Sequence, residues 1–162
     1  ELRQKALQVI SLSLLAMLIY IWIRFEFRFA VGAVVTLLHD ALTVIPLMSV
    51  IGYEYDINLI AAILTIIGYS LNDTIVVYDR IRENIAGMRG AGMQPIINAS
   101  IIQTLSRTVV TGITSLLAVL ALFFFGGPVL EGFSLALFIG VIVGTYSSIF
   151  VSSPVVYLWP TK

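Results

Sequence analysis

Runs of apolar residues separated by short polar segments dominate this chain. Five of them reach or approach the ~20 residues that span a hydrocarbon core as a helix. They cover about residues 7–23, 29–51, 59–77, 100–125 and 133–158, the fourth becoming strongly apolar from Thr108. Each predicts one transmembrane helix. Between the third and fourth runs the pattern changes, and charges alternate from Asp79 before Gly87, Gly90, Gly92 and Pro95 follow. That stretch predicts a surface helix over about 79–92 and then a turn. The expected fold is an all-α polytopic membrane protein with no soluble domain.

Composition agrees with the pattern. Of 162 residues 59% are hydrophobic and 11% charged, and the mean hydropathy is +1.04, far above a soluble domain of this length. Nine basic residues balance nine acidic ones, so no net field draws nucleic acid. There is no cysteine, which removes disulfides and thiol chemistry. His39 is the single histidine, no carboxylate cluster has ligand spacing, and neither metal nor cofactor is implied.

The basic residues set the expected orientation, because cytoplasmic loops retain an excess of Lys and Arg. Arg24, Arg28, Arg80, Arg82, Arg89, Arg107 and Lys162 all fall on one side, and only Arg3 and Lys5 on the other. The expectation is a periplasmic N-terminus and a cytoplasmic C-terminus. A first residue that is Glu1, together with an external N-terminus, suggests that at least one earlier span precedes this stretch.

Ionisable groups at bilayer depth are costly unless paired, hydrated or neutralised. Asp73, Arg107 and the pair His39 and Asp40 qualify. Counting ~1.5 Å per helical residue from the shared end places Asp73 and Arg107 at a similar level on antiparallel helices. Their pairing would lower the cost of burying both and favour ionised Asp73, so they form a candidate proton-driven switch. A static ion pair that merely fixes two helices is the competing reading. Ser70, Asn72 and Thr74 are expected to support Asp73 by hydrogen bonding, and Gly68 to allow close helix approach. His39 and Asp40 also fit a plain interhelical hydrogen bond. Pro46 should bend the second helix or free a carbonyl. Asp79, Arg80, Arg82, Glu83 and Asn84 fit either a solvated face or a contact surface for a cytoplasmic partner.

The last span carries small residues every fourth position: Gly132, Ala136, Gly140, Gly144, Ser148 and Ser152. Such a ridge lets backbones approach closely in lipid. It suits a subunit interface or, as the preferred reading, packing within the chain. An intramembrane aspartyl protease built on Asp40 and Asp73 is disfavoured because neither flanking segment carries the motifs of that class, and no enzymatic activity is expected.

The run Gly68-Tyr69-Ser70-Leu71-Asn72-Asp73-Thr74-Ile75-Val76-Val77-Tyr78-Asp79-Arg80-Ile81-Arg82-Glu83-Asn84 resembles the signature of the SecF family of bacterial protein-export membrane subunits. The resemblance continues in Arg24-Phe25-Glu26-Phe27-Arg28, in Leu37-Leu38-His39-Asp40, in Asn98 to Thr111 and in the Gly-rich last span. It implies a six-helix bundle of the resistance-nodulation-division superfamily, with a periplasmic domain between the first two spans. The present five helices match spans two to six, without the first helix and that domain. It further implies a location in the inner membrane, pairing with SecD, association with the Sec translocon (SecYEG), and use of the proton-motive force to move secretory polypeptides. The positions matching Asp73 and Arg107 are associated in the family with proton conduction, and the second acidic group comes from SecD. A proton-driven exporter of small molecules or lipids is the alternative within the superfamily.

Overall fold

The computed structural model describes residues 2–159, without the side chains of residues 2, 3 and 6. The predicted places of Arg3 and Lys162 lie outside what is described. The order is α1 (Leu2–Arg24), α2 (Phe27–Ile51), α3 (Ile57–Gly87), α4 (Met93–Phe125), α5 (Pro128–Phe150) and α6 (Ser152–Leu158). No strand occurs among the described residues. Among the described residues five stretches are long and apolar enough to cross a membrane, with α5 and α6 forming the last together.

Packing sorts the helices into a centre and a rim. α3 and α5 make the most extensive contact, and α2 and α4 flank them. α1 lies outside, resting mainly on α2, and most of its side chains are exposed. Exposure of apolar side chains such as Leu12, Val110 and Leu117 is the expected state of helices that face lipid.

The ridge of small residues brings α5 against α3 of the same chain. A Cβ on Gly140 would stand 2.3 Å from Ile66 Cδ1, and one on Gly144 3.2 Å from Ser70 Cβ. At Gly132 the occupant is the ring of Tyr53, 2.9 Å from such a Cβ, and the Tyr53 hydroxyl donates to Glu131 at 2.9 Å. Gly68 behaves otherwise: it is exposed, with open space where a Cβ would project. The close helix approach expected there is made by α5 glycines instead.

Loop chemistry explains the turns at one end. α2 closes on Gly52, whose φ of 99° needs a residue without a Cβ. α3 opens on Asp56, whose carboxylate accepts from the Leu59 amide at 2.8 Å. α2 runs on through Pro46, which cannot donate to the Leu42 carbonyl.

At the other end the expected division fails. Rather than stopping near residue 77 before a separate surface helix, α3 continues unbroken to Gly87, roughly 46 Å at 1.5 Å per residue against a ~30 Å hydrocarbon core. Nothing in the sequence breaks it: buried Tyr78 and Ile81 carry the apolar stripe past the onset of charge. α4 starts at Met93, ahead of the predicted start near residue 100, because Pro95 is tolerated in a first turn. Asn84 ties the two extensions together, donating to Ser100 at 2.8 Å and to Gln103 at 2.9 Å. The last span breaks at Val151, between α5 and α6, where Pro154 removes the amide that would continue the ladder to Phe150.

Candidate functional site

Among the described residues two acidic side chains are buried inside the bundle, and their surroundings differ. Asp40, on α2, has 0% exposure. It accepts from the Ser70 hydroxyl of α3 at 2.5 Å on one oxygen, and its other oxygen lies 3.1 Å from His39 Nδ1. Asp73, one helical turn beyond Ser70 on α3, is 2% exposed. Its Oδ2 has no hydrogen-bond partner, nor does the hydroxyl of the adjacent Thr74. Leaving a carboxylate oxygen buried without a partner is expensive, and such orphans collect where a protein does something with them.

Arg107 does not supply the partner. Among the described residues no ion pair joins it to Asp73. Helical periodicity is the reason. The inner face of α4 is taken by Ser100, Thr104 and Thr108, all buried, and Arg107 falls beside that stripe on an exposed face. The expected direct pair is therefore replaced by two charges at neighbouring positions, one buried and one accessible.

The supporting residues also redistribute. Ser70, expected to serve Asp73, is committed to Asp40. Asn72 points outward and is exposed, whereas Thr74 is buried. A partly buried hydroxyl pair lies one turn before Asp73, next to Ser70, where Tyr69 and Thr145 of α5 approach to 3.3 Å.

Sequence reasoning passed over Tyr78. It is fully buried, packs on Phe29 with ring centroids 5.0 Å apart, and donates to the Ser152 carbonyl at 3.4 Å, at the break between α5 and α6. Its hydroxyl fills the space where a Cβ on Gly32 would sit. An aromatic flanked by charges at the edge of an apolar run was the available signal. In the remaining signature, Asp79 lies 3.9 Å from Arg24 of α1, Arg80 pairs with Glu83 at 2.8 Å, and Arg82 is exposed. Among the described residues no three His, Asp or Glu side chains gather as a metal-holding group.

A multi-pass helical membrane protein that buries an unpartnered carboxylate in the centre of its bundle is the class this architecture defines. The family whose model describes the protein export membrane protein SecD/SecF, C-terminal, matches residues 1–162, and the chain belongs to that family. It is 49% identical over 162 residues to the protein translocase subunit SecF of Desulfurispirillum indicum, covering 98% of this chain and 52% of that protein. Against the SecF of Rhodothermus marinus it is 51% identical over 162 residues, covering 96% of this chain and 53% of that one. The chain thus spans about half the length of the curated relatives it matches. Its fold superposes on crystalline SecDF from Thermus thermophilus, described as a translocon-associated membrane protein, with TM-score 0.92 and 48% identity over 97% of this chain and 22% of that one. A super-membrane-facing form of SecDF gives TM-score 0.90 at 48% identity, over 97% and 21%.

Proposed function

We propose that this chain is the membrane core of a SecF-type subunit that couples proton movement to the export of secretory polypeptides, with Asp73 as the titrating group. The observation that carries the reading is the buried, unpartnered Oδ2 of Asp73. A carboxylate held away from water without fixed donors is poised to exchange a proton, and each charge crossing 100 mV yields about 2.3 kcal/mol. Arg107 acts as an accessible counter-charge that favours the ionised form and releases its hold on protonation. The relatives' names and the SecDF structures support pairing with a SecD-type protein and association with the Sec translocon. The side bearing Arg80, Arg82, Arg89 and Arg107 is then cytoplasmic by the retention of basic residues there.

The test is proton flux into vesicles holding the complete SecD–SecF complex under an imposed pH gradient. Asp73→Asn and Arg107→Ala should each assemble and lose flux. Flux that persists in both would leave Asp73 and Arg107 a structural role and move the coupling site elsewhere.

A further inference from the structure

A carboxylate that exchanges protons needs neighbours that can pass them, and along α3 the two sides of Asp73 differ in supplying such groups. Residues three and four places away share its face of the helix. Toward the Gly87 end these are Val76 and Val77, the second fully buried. Beyond them the hydroxyl of Tyr78 is spent on the Ser152 carbonyl. Toward the Asp56 end they are Ser70 and Tyr69. Ser70 is committed to Asp40, which leaves the Tyr69 hydroxyl. It meets the Thr145 hydroxyl of α5 at 3.3 Å, in a contact where either oxygen can donate. Thr36 and Thr104 donate to the carbonyl four residues back, whereas Thr145 turns its hydroxyl across to another helix. Gly112 of α4 walls the pair: a Cβ there would stand 3.3 Å from Thr145 Oγ1 and 3.7 Å from the Tyr69 hydroxyl. Three helices thus meet at two hydroxyls, one turn from a carboxylate whose Oδ2 has no partner.

We propose that the hydroxyl pair of Tyr69 and Thr145 relays protons to Asp73 from the Asp56 end of the bundle, an inference that rests on the reading of Asp73 as the titrating group. A hydroxyl both donates and accepts, so two in contact can pass a proton without either ionising. Water on the outer side gives a proton to one oxygen as that hydroxyl hands its own to the other. The second hydroxyl gives its proton to a water, which delivers one to the Asp73 carboxylate. Each hydroxyl and each bridging water ends with the protons it began with, and the carboxylate alone changes charge. Water must carry this last step, because no hydrogen bond joins Tyr69 to the Oδ2 of Asp73. Both relay residues are partly exposed, so the pair stands between the outside of the bundle and a side chain that is 2% exposed. On α3 no matching hydroxyl stands one turn toward the Gly87 end.

The test is proton flux under an imposed pH gradient in vesicles holding the complete SecD–SecF complex, measured in light and in heavy water. Tyr69→Phe and Thr145→Val each take one hydroxyl oxygen from the pair with little change of shape. Both should assemble and lose flux about tenfold, the effect of ~1.4 kcal/mol on a barrier. Their ratio of flux in light to heavy water should also rise, because proton delivery has become the slow step. Thr145→Ser keeps the hydroxyl and should keep the parent's flux and ratio. Parent-like flux in either the Phe or the Val variant would overturn the relay. So would reduced flux at an unchanged isotope ratio, which would leave the pair a tie between α3 and α5. Asp73→Asn, measured alongside, separates this claim from the one beneath it. If that variant loses flux while Tyr69→Phe and Thr145→Val conduct normally, the relay fails and the titrating role of Asp73 stands. If Asp73→Asn conducts, both fall. Should one relay variant not assemble, the other decides, since each breaks the same pair.

Discussion

Asp40 and Asp73 are both acidic, both buried and less than two helical turns apart in depth, yet they occupy opposite states. Asp40 is held by Ser70 and His39 at the meeting of α2 and α3, directly under the Gly144 approach of α5. Asp73 lies on the same helix as Ser70 with Oδ2 unheld. The contrast teaches that burial alone does not mark a functional carboxylate. A satisfied buried acid fixes the packing of helices, and an unsatisfied one stores a cost that protonation relieves.

Breaking the satisfied side should produce the largest loss. Asp40→Ala leaves the Ser70 hydroxyl and the His39 ring without their acceptor and removes an anchor between two central helices. The expected destabilisation is about 3 kcal/mol, the upper range for losing hydrogen bonds to an acidic group, read as a lower midpoint of thermal unfolding in detergent. A midpoint equal to the parent's would show that Asp40 anchors nothing.

The next effect comes from the helix that holds this junction in place. Gly140→Ala puts a Cβ 2.3 Å from both Cδ1 and Cγ1 of Ile66 and 3.0 Å from its Cγ2. The whole side chain must move, and overpacking of this kind costs about 2 kcal/mol. Separation of α5 from α3 would also loosen Ser70, so the same variant should weaken protection of the Ser70 region in hydrogen exchange. Unchanged protection there would detach the glycine ridge from the Asp40 junction.

Ser70→Ala tests the bond itself at about 1.5 kcal/mol, near the top of what interhelical hydrogen bonds in membranes contribute. A double-mutant cycle with Asp40→Ala should show coupling of similar size, since each single change removes the same contact. Additive losses would mean that the two side chains act independently.

The sequence made depth legible and direction around the helix illegible. α2 and α3 are antiparallel and joined by a short loop, and Asp40 and Ser70 stand fifteen residues to either side of Tyr55. Equal spacing from a hairpin turn puts residues at one level, and these two meet. The same count, taken about Gly90, suggests one level for Asp73 and Arg107 but says nothing of face. Which face α4 turns inward is set by a Thr and Ser stripe that reads as ordinary in a membrane helix. The five spans were readable because lipid demands long apolar runs. The extension of α3 to Gly87 was not, because its polar residues hid the buried stripe of Tyr78 and Ile81. Likewise the glycine ridge was visible, but its contact on Ile66 and Ser70 depends on packing between distant segments.

The smallest change in stability belongs to the residue with the largest proposed role. Asp73→Asn removes no hydrogen bond from Oδ2, because none is made, and it replaces an ionisable group by a neutral amide of nearly the same shape. Burying the amide is cheaper than burying a carboxylate. The unfolding midpoint should therefore stay within the equivalent of ~1 kcal/mol of the parent, or rise, while proton flux through the complete complex is lost. That separation is what distinguishes the two acids, since Asp40→Ala lowers stability first and function only through it. A loss of several kcal/mol in Asp73→Asn would mean that Asp73 has an undetected structural partner, and the contrast with Asp40 would collapse into two anchors of one bundle.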